Sequence, residues 1–279
     1  MESPSVDTPG NAAARLPKGA GSASEIVPAD HSGGTNTSHT IVVAALSKLL
    51  EAVPPGAPPA AYEEAVLEAN VLGKETDGSR WRTFRYLREL YLLRPDSLLF
   101  RGLRDLWPVD PEAQPLLAGL CALARDPVFR ASGAAVGAAK YGDSLRAPDL
   151  AAAVEAAFPG NYGPGTLAKI GRNAFSSWEQ TGHLEGQRPG AKIRVRAACR
   201  PADVAYALLL GYLEGSRGKS LFETGWARFL DHSPSQLMDL AWSASKQGML
   251  ELRAAGGVVE VGFRELLRPF DADRSGQLP

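Results

Sequence analysis

Short apolar stripes with helical spacing recur along the first half of the chain, and prolines or glycines separate them. Apolar residues three and four positions apart lie on one side of a helix, so each stripe predicts a helix with one buried face. Ser79 and Ser97 are candidate N-caps, and Asp110-Pro111 and Asp126-Pro127 each place a cap before a proline at the first helical position. The region 39–159 is therefore predicted to be an all-α helical bundle.

The pattern changes after a run of breaker residues between Gly160 and Gly165. A helix from about Thr166 to Thr181 is followed by the alternating run Lys192–Cys199, which predicts a strand. Further helices lead to a hairpin pattern around Gly256-Gly257. The order helix, helix, hairpin is that of winged-helix proteins.

We therefore predict a mainly α fold, in which an N-terminal helical bundle precedes winged-helix-like units with short β-hairpins. The first unit is 160–200, a basic helix plus wing strand, and the second is the C-terminal winged-helix-like unit 201–270. Residues 1–38 are rich in Ser, Gly, Pro and Ala, which predicts a disordered tail because little apolar surface can be buried. Residues 271–279 are predicted to form a second tail.

The overall charge favours no class of partner, since 30 Lys and Arg stand against 31 Asp and Glu. Cys121 and Cys199 are far apart and have neither metal-ligand spacing nor a disulfide framework, which indicates a reduced, cytoplasmic protein. No apolar run approaches the roughly 20 residues of a membrane helix. Neither a membrane nor a metal is expected as a partner.

Motifs of enzymes and ion sites are incomplete. Gly218-Lys219-Ser220 resembles the end of a P-loop, but Leu213 occupies the position of the first glycine. The acidic run from Asp271 resembles an EF-hand loop, whose last ligand would lie beyond Pro279. With no nucleophile motif and no carboxylate pair, we expect a non-enzymatic protein without a cofactor.

The helix around residue 170 has two distinct faces. The apolar stripe contains Leu167, Ile170, Ala174 and Trp178. A separate polar face contains Lys169, Arg172, Asn173, Ser176 and Gln180. Cations and neutral hydrogen-bonding groups without a carboxylate suit the DNA major groove, where Arg bonds guanine and Asn bonds adenine.

The predicted strand carries Lys192, Arg194 and Arg196 on one face, because alternate residues of a strand point to the same side. Residues 161–200 contain seven Lys and Arg against two acids. The alternative is a solvated cationic face or a charged edge strand that opposes aggregation. A second basic run between Arg80 and Arg104 adds Arg82 and Arg85 as candidate phosphate contacts, or else forms a solvated helix face in which Arg85 pairs with Glu89.

Three sequence blocks, SRWRTFRYLRELYLL, LFRGLRDLW with PLLAGLCALARDPVFR, and GTLAKIGRNAFSSWEQTGHLEG, resemble the BrxA family of bacteriophage-exclusion (BREX) defence systems. The resemblance covers roughly Glu75 to Gly186 and is closest at Ser176, Ser177 and Trp178 and at the turn Gly182 to Leu184. It implies a helical, DNA-binding accessory protein that accompanies larger defence components.

These observations give two hypotheses. In the first, the chain is a non-enzymatic accessory protein of a phage-defence system that binds double-stranded DNA through the basic helix and wing, with other defence proteins as further partners. In the second, it is a protein-protein adaptor or assembly factor without DNA binding, which the nearly neutral C-terminal unit supports.

Overall fold

A computed structural model of the chain describes residues 25–188 and 190–269. Within those ranges the chain is mainly helical with two small antiparallel sheets, so the predicted mainly α fold is confirmed. None of the described helices combines the length and the apolar character needed to cross a membrane.

The first half contains the α-helices α1 Val43–Ala52, α2 Pro59–Leu67, α3 Asp77–Tyr91, α4 Leu98–Leu106, α5 Gln114–Arg125, α6 Pro127–Ala138 and α7 Ala147–Ala157. The second half contains α8 Pro164–Gln180, α9 Pro201–Leu213, α10 Gly225–Phe229 and α11 Pro234–Lys246. The strands are β1 Ser144–Leu145, β2 Leu184–Arg188, β3 Ala191–Arg194, β4 Glu251–Ala255 and β5 Val258–Gly262. Short 3-10 turns lie at Thr35–Thr37, Pro111–Ala113 and Gly218–Glu223.

Polar side chains begin several helices by accepting hydrogen bonds from backbone N–H groups that have no partner within the helix. Ser97 accepts a bond from the N–H of Phe100 at 3.1 Å, as its position before α4 predicts. Helix α3 differs from the prediction, because its N-cap is Thr76 and Ser79 lies inside the first turn.

Helix α9 lies at the centre of the fold, and every residue from Ala202 to Leu213 is buried. A helix that is apolar on all sides belongs in a protein interior. The hydroxyl of Tyr206 donates to the carbonyl of Leu99 at 2.9 Å. Gly102 lets α4 approach α9 closely, since a Cβ there would lie 2.9 Å from the Leu209 side chain. One hydrophobic core therefore continues from the N-terminal helices into the C-terminal region.

A three-stranded sheet with the order β1-β3-β2 brings together parts of the chain that the sequence placed in two regions. Strand β1 lies between α6 and α7, inside the region 39–159 predicted to be all-α, and Leu145 pairs with Lys192 of β3. A separate apolar cluster joins α6, α7 and α8 through Val128, Val154 and Ile170. The predicted boundary at residue 160 thus cuts through a packed unit made of α6, β1, α7, α8, β2 and β3. We call it the central unit.

The C-terminal unit consists of α9, the turn Gly218–Glu223, α10, α11 and the hairpin β4–β5. The predicted hairpin is confirmed, with Leu252 opposite Val261. Gly256 and Gly257 have φ values of 57° and 81°, which glycine adopts without a steric penalty. Gly218, part of the incomplete P-loop motif, lies against β5, and a Cβ there would be 2.8 Å from the carbonyl oxygen of Val259.

Packing of the chain against the helices begins at Glu25, well before residue 39, where the helical bundle was predicted to begin. Glu25 and Ile26 are buried, and the N–H of Val27 donates to the carbonyl of Ala124 at 2.8 Å. Asn36 is fully buried. The prediction of a disordered tail over residues 1–38 therefore fails for 25–38, because this stretch is held largely by polar bonds that composition does not reveal. Residues 1–24 and the predicted tail 271–279 lie outside the described residues.

Candidate nucleic-acid interface

Helix α8 turns its apolar stripe into the protein, as its spacing predicts. Ile170 and Ala174 are fully buried, and Trp178 is almost so. Burial of this stripe orients the rest of the helix, because side chains on the opposite side must face outward. Lys169 and Arg172 are accordingly exposed, one turn apart in the first half of the helix.

The second half of the predicted polar face is covered by residues 35–43, which we call the N-terminal strap. Three side chains of α8 bond to it: Asn173 Nδ2 donates to the carbonyl of Asn36 at 2.9 Å, Ser177 Oγ accepts from the N–H of Ile41 at 3.2 Å, and Gln180 Oε1 accepts from the N–H of Val43 at 3.0 Å. These groups satisfy buried backbone atoms of the same chain. The interpretation of Asn173 and Gln180 as part of an open face is therefore corrected, and so is the nucleic-acid-binding role of Ser177 that the resemblance implies.

The strap is fixed at its other side by the start of α6. The N–H of Asn36 donates to Asp126 Oδ2 at 2.7 Å, and Asp126 also accepts from the N–H of Phe129 at 2.9 Å. Burial raises the pKa of the Asp126 carboxyl, against these hydrogen bonds. Ser176, the remaining candidate on α8, is half-buried beside the covered face.

Replacing Asn173 separates structural support from base contact. We expect Asn173→Ala to lower the free energy of unfolding by about 1 kcal/mol, because the carbonyl of Asn36 loses its donor. Duplex DNA affinity is expected to remain within about twofold of the parent. Urea unfolding and fluorescence anisotropy measure the two quantities. A strong loss of duplex affinity with unchanged stability would instead indicate that Asn173 contacts a DNA base.

Two of the three cations of the predicted wing face inward rather than outward. Lys192 and Arg194 do share a face, but Lys192 Nζ donates to the carbonyl of Phe175 on α8 at 3.2 Å. Arg194 Nε donates to the carbonyl of Val136 on α6 at 3.1 Å. These contacts show that the face of β3 that carries both residues packs on α6 and α8.

Both inward cations have carboxylate partners. Lys192 pairs with Glu179 at 2.7 Å, and the buried Arg194 pairs with Asp231 at 2.7 Å. Arg196 lies beyond the end of β3, is exposed, and its Nε donates to the hydroxyl of Tyr141 at 3.2 Å. The expectation of three outward cations on the wing is thus corrected for Lys192 and Arg194.

Ion pairs divide the basic segment 161–200 into two groups. Arg200 pairs with Asp110 at 3.6 Å and with Glu112, so it joins Lys192 and Arg194 as a neutralised cation. Lys169, Arg172 and Arg196 form no ion pair with any described residue. Among the described side chains of this segment, the unpaired positive charge is therefore concentrated on the exposed half of α8 and at Arg196.

Helix α3 presents a second group of cations. Arg82 is exposed, and Arg85 is partly exposed and pairs with Glu89 at 3.7 Å, the i,i+4 pairing that the sequence predicts. The Arg85 guanidinium lies 6.0 Å from the ring centre of Trp81, whose side chain is 51% exposed. Arg82 precedes Tyr86 by one helical turn, which places it on the side of α3 that faces the strap.

His39 of the strap connects α3 with α8. Its ring centre lies 4.7 Å from that of Tyr86 on α3. Burial lowers the pKa of His39, and the positive charges of Lys74 and Lys169 lower it further. Asn36 and Val43 of the same strap bond to Asn173 and Gln180 of α8. The strap therefore packs against both of the helices that carry exposed cations.

We give the name basic surface to five cations on or next to these two helices: Lys74, Arg82, Arg85, Lys169 and Arg172. Sequence reasoning placed its α3 and α8 members in separate candidate regions and missed Lys74 and His39. No spacing rule links positions 39, 74 and 169, so only the packing of the strap between the helices reveals the arrangement. Helix α11 has a different surface, with Gln236, Asp239 and Trp242 exposed.

No protein-family model, curated protein or solved structure matches the chain.

Proposed function

We propose that the chain binds double-stranded DNA through the basic surface, as a non-enzymatic accessory protein of a phage-defence system. The single observation that carries the proposal is that the strap packs on both α8 and α3, the two helices that carry the exposed cations Lys169, Arg172 and Arg82. Cations spread over two helices match the spaced negative charges of a duplex backbone. The resemblance to the BrxA family supports the same function.

The topology of the central unit supports a winged-helix interpretation. Helix α6, strand β1, helices α7 and α8 and the hairpin β2–β3 follow one another, with the sheet order β1-β3-β2. In this arrangement α8 corresponds to the recognition helix, whose N-terminal part contacts base edges in related helix-turn-helix proteins. The exposed residues Lys169 and Arg172 lie in that part of α8.

The polar face of α8 has an exposed half and a half covered by the strap, and this determines the kind of DNA binding that we expect. Asn173 and Gln180 bond to the strap, so Arg172 and Lys169 are the side chains of α8 that can reach guanine. The other cations of the basic surface suit phosphate oxygens, which position a duplex without reading its sequence. Binding is therefore expected to depend more on charge than on base sequence.

A duplex of about 20 base pairs, labelled with a fluorophore and titrated with the full chain, tests the proposal. We expect binding at low salt and a linear fall of log affinity with log salt concentration, because each neutralised phosphate releases counterions. The double variant Lys219→Ala/Lys246→Ala, which removes two exposed cations of the C-terminal unit, serves as a matched control. The absence of binding at low salt would contradict the proposal. A loss of duplex affinity in this control equal to that in Lys169→Ala/Arg172→Ala would contradict it as well.

A second candidate function is that of a protein-protein adaptor. It is favoured by the exposure of Trp242 on α11, at 37%, and of Val258 at the tip of the β4–β5 hairpin, at 64%. Contiguous apolar patches at the surface often mark contacts with other proteins, and Trp242 and Val258 are the candidate members of such a patch. A parent chain that fails to bind duplex at low salt but forms a complex sensitive to Trp242→Ser would favour this function.

A further inference from the structure

A cleft of about 1030 Å³ lies between the central and C-terminal units. Helix α6 forms one wall with Gly133, Ala134 and Gly137, and Trp226 and Phe229 of α10 form the other. Small-molecule sites are typically clefts of about 300–1,000 Å³ with apolar and aromatic walls and a few polar groups. The size and walls of this cleft suit a small organic ligand.

The cleft has an excess of positive charge. Its lining includes five cations, Arg130, Lys140, Arg194, Arg196 and Arg228, and the two carboxylates Glu214 and Asp231. Both carboxylates already have partners, because Glu214 accepts from Trp226 Nε1 at 2.7 Å and Asp231 pairs with Arg194 at 2.7 Å.

Three of the cations remain without a carboxylate partner at the rim. Lys140, Arg196 and Arg228 are exposed and form no ion pair with any described residue. Tyr141 orients Arg196, since its hydroxyl accepts from Arg196 Nε at 3.2 Å and donates to Asp231 Oδ1 at 3.0 Å. The rim therefore presents positive charge to an anionic group.

Asp231 supplies an acceptor that the protein does not use. Its Oδ2 is buried and has no hydrogen-bond partner among the described residues. Buried polar atoms are nearly always paired, and an exception calls for an explanation such as a ligand. The backbone of Asp231 has a φ of 62°, a left-handed conformation that is uncommon outside glycine and that Asp adopts more readily than most residues.

We propose that the cleft binds a nucleotide. The phosphate would lie at the cationic rim, an amino or hydroxyl group would donate to Asp231 Oδ2, and the base would pack along the apolar walls. A nucleotide has all three features that the cleft requires: an anion, a donor and a flat ring. The nucleotide can be free in solution or belong to a single strand, and this inference is independent of duplex binding by the basic surface.

Gly137→Leu provides a direct test, because Gly137 lines the cleft, a Cβ there meets no atom within 4 Å, and the leucine side chain would occupy part of the space along α6. The position is helical, where leucine is more favourable than glycine, so the fold is preserved. Gly78→Leu is the matched control, since Gly78 lies in α3 with equally open surroundings and does not line the cleft. The double variant Lys140→Ala/Arg228→Ala tests the rim without filling the cleft.

Calorimetry and tryptophan fluorescence are used to measure the binding of AMP, GMP and inorganic phosphate. We expect AMP or GMP to bind the parent and Gly78→Leu, and Gly137→Leu and the rim variant each to bind at least about tenfold more weakly. Displacement of AMP by a single-stranded oligonucleotide identifies a strand as the source, and its failure identifies the free nucleotide.

The proposal is overturned by any of three results. These are no binding of AMP or GMP up to about 1 mM, affinity for inorganic phosphate equal to that for the nucleotides, or unchanged binding in Gly137→Leu. Duplex affinity measured in the same variants is expected to stay at the parent value, which distinguishes this result from a failure of the basic surface.

Discussion

Replacing Lys169 and Arg172 together with alanine is expected to weaken duplex binding by about 30- to 1000-fold at constant salt. Each contact that is lost from the groove or backbone is worth about 1–2 kcal/mol, and both residues lie on the exposed half of α8. Alanine has the highest helix propensity, so the helix itself is preserved. Fluorescence anisotropy with a labelled duplex measures the effect.

The stability of this double variant provides the control for its affinity. Neither side chain forms an ion pair with a described residue, so the free energy of unfolding is expected to stay within about 0.5 kcal/mol of the parent. The variant Lys219→Ala/Lys246→Ala has the same change in net charge and is expected to retain most of the duplex affinity. Equal weakening in both variants would show that α8 makes no particular contribution.

Arg194→Ala is expected to lower the free energy of unfolding by about 3–5 kcal/mol, the usual cost of removing one partner of a buried ion pair. The Arg194 side chain is 6% exposed and that of Asp231 is 14% exposed, so the carboxylate would remain charged in a largely buried place. The carbonyl of Val136 would lose its donor as well. Urea unfolding followed by circular dichroism measures this loss.

A second variant identifies the cause of that loss. In Arg194→Met/Asp231→Asn both charges are absent and the volume of the arginine stem is largely kept, so part of the stability is expected to return. An Arg194 directed outward, as the strand alternation predicted, would cost less than about 0.5 kcal/mol on removal. A loss that small in Arg194→Ala would contradict the inward placement.

Local signals in the sequence predicted the helices well. Ser97, Asp110-Pro111 and Asp126-Pro127 begin helical turns because a cap acts on N–H groups two or three residues away. The apolar stripe of α8 and the β4–β5 hairpin follow equally local rules of spacing and turn chemistry. These elements needed no knowledge of distant contacts.

The errors concern contacts between residues far apart in sequence. Alternation correctly placed Lys192 and Arg194 on one face but did not show that this face packs on α6 and α8. The spacing of residues in α8 predicts an open polar face, because it holds no information about the strap. Asn173 and the strap residue that it bonds, Asn36, are 137 residues apart in sequence. Strand β1 has two residues, too few for a recognisable alternation.

The salt dependence of duplex binding by Arg82→Ala/Arg85→Ala, compared with that of the parent chain, tests most directly whether α3 and α8 form one DNA-binding surface. Each lost phosphate contact reduces the slope of log affinity against log salt concentration by about 0.9. If both arginines contact phosphates together with α8, the slope is expected to fall by about 1.8. A slope and an affinity equal to those of the parent would contradict the account.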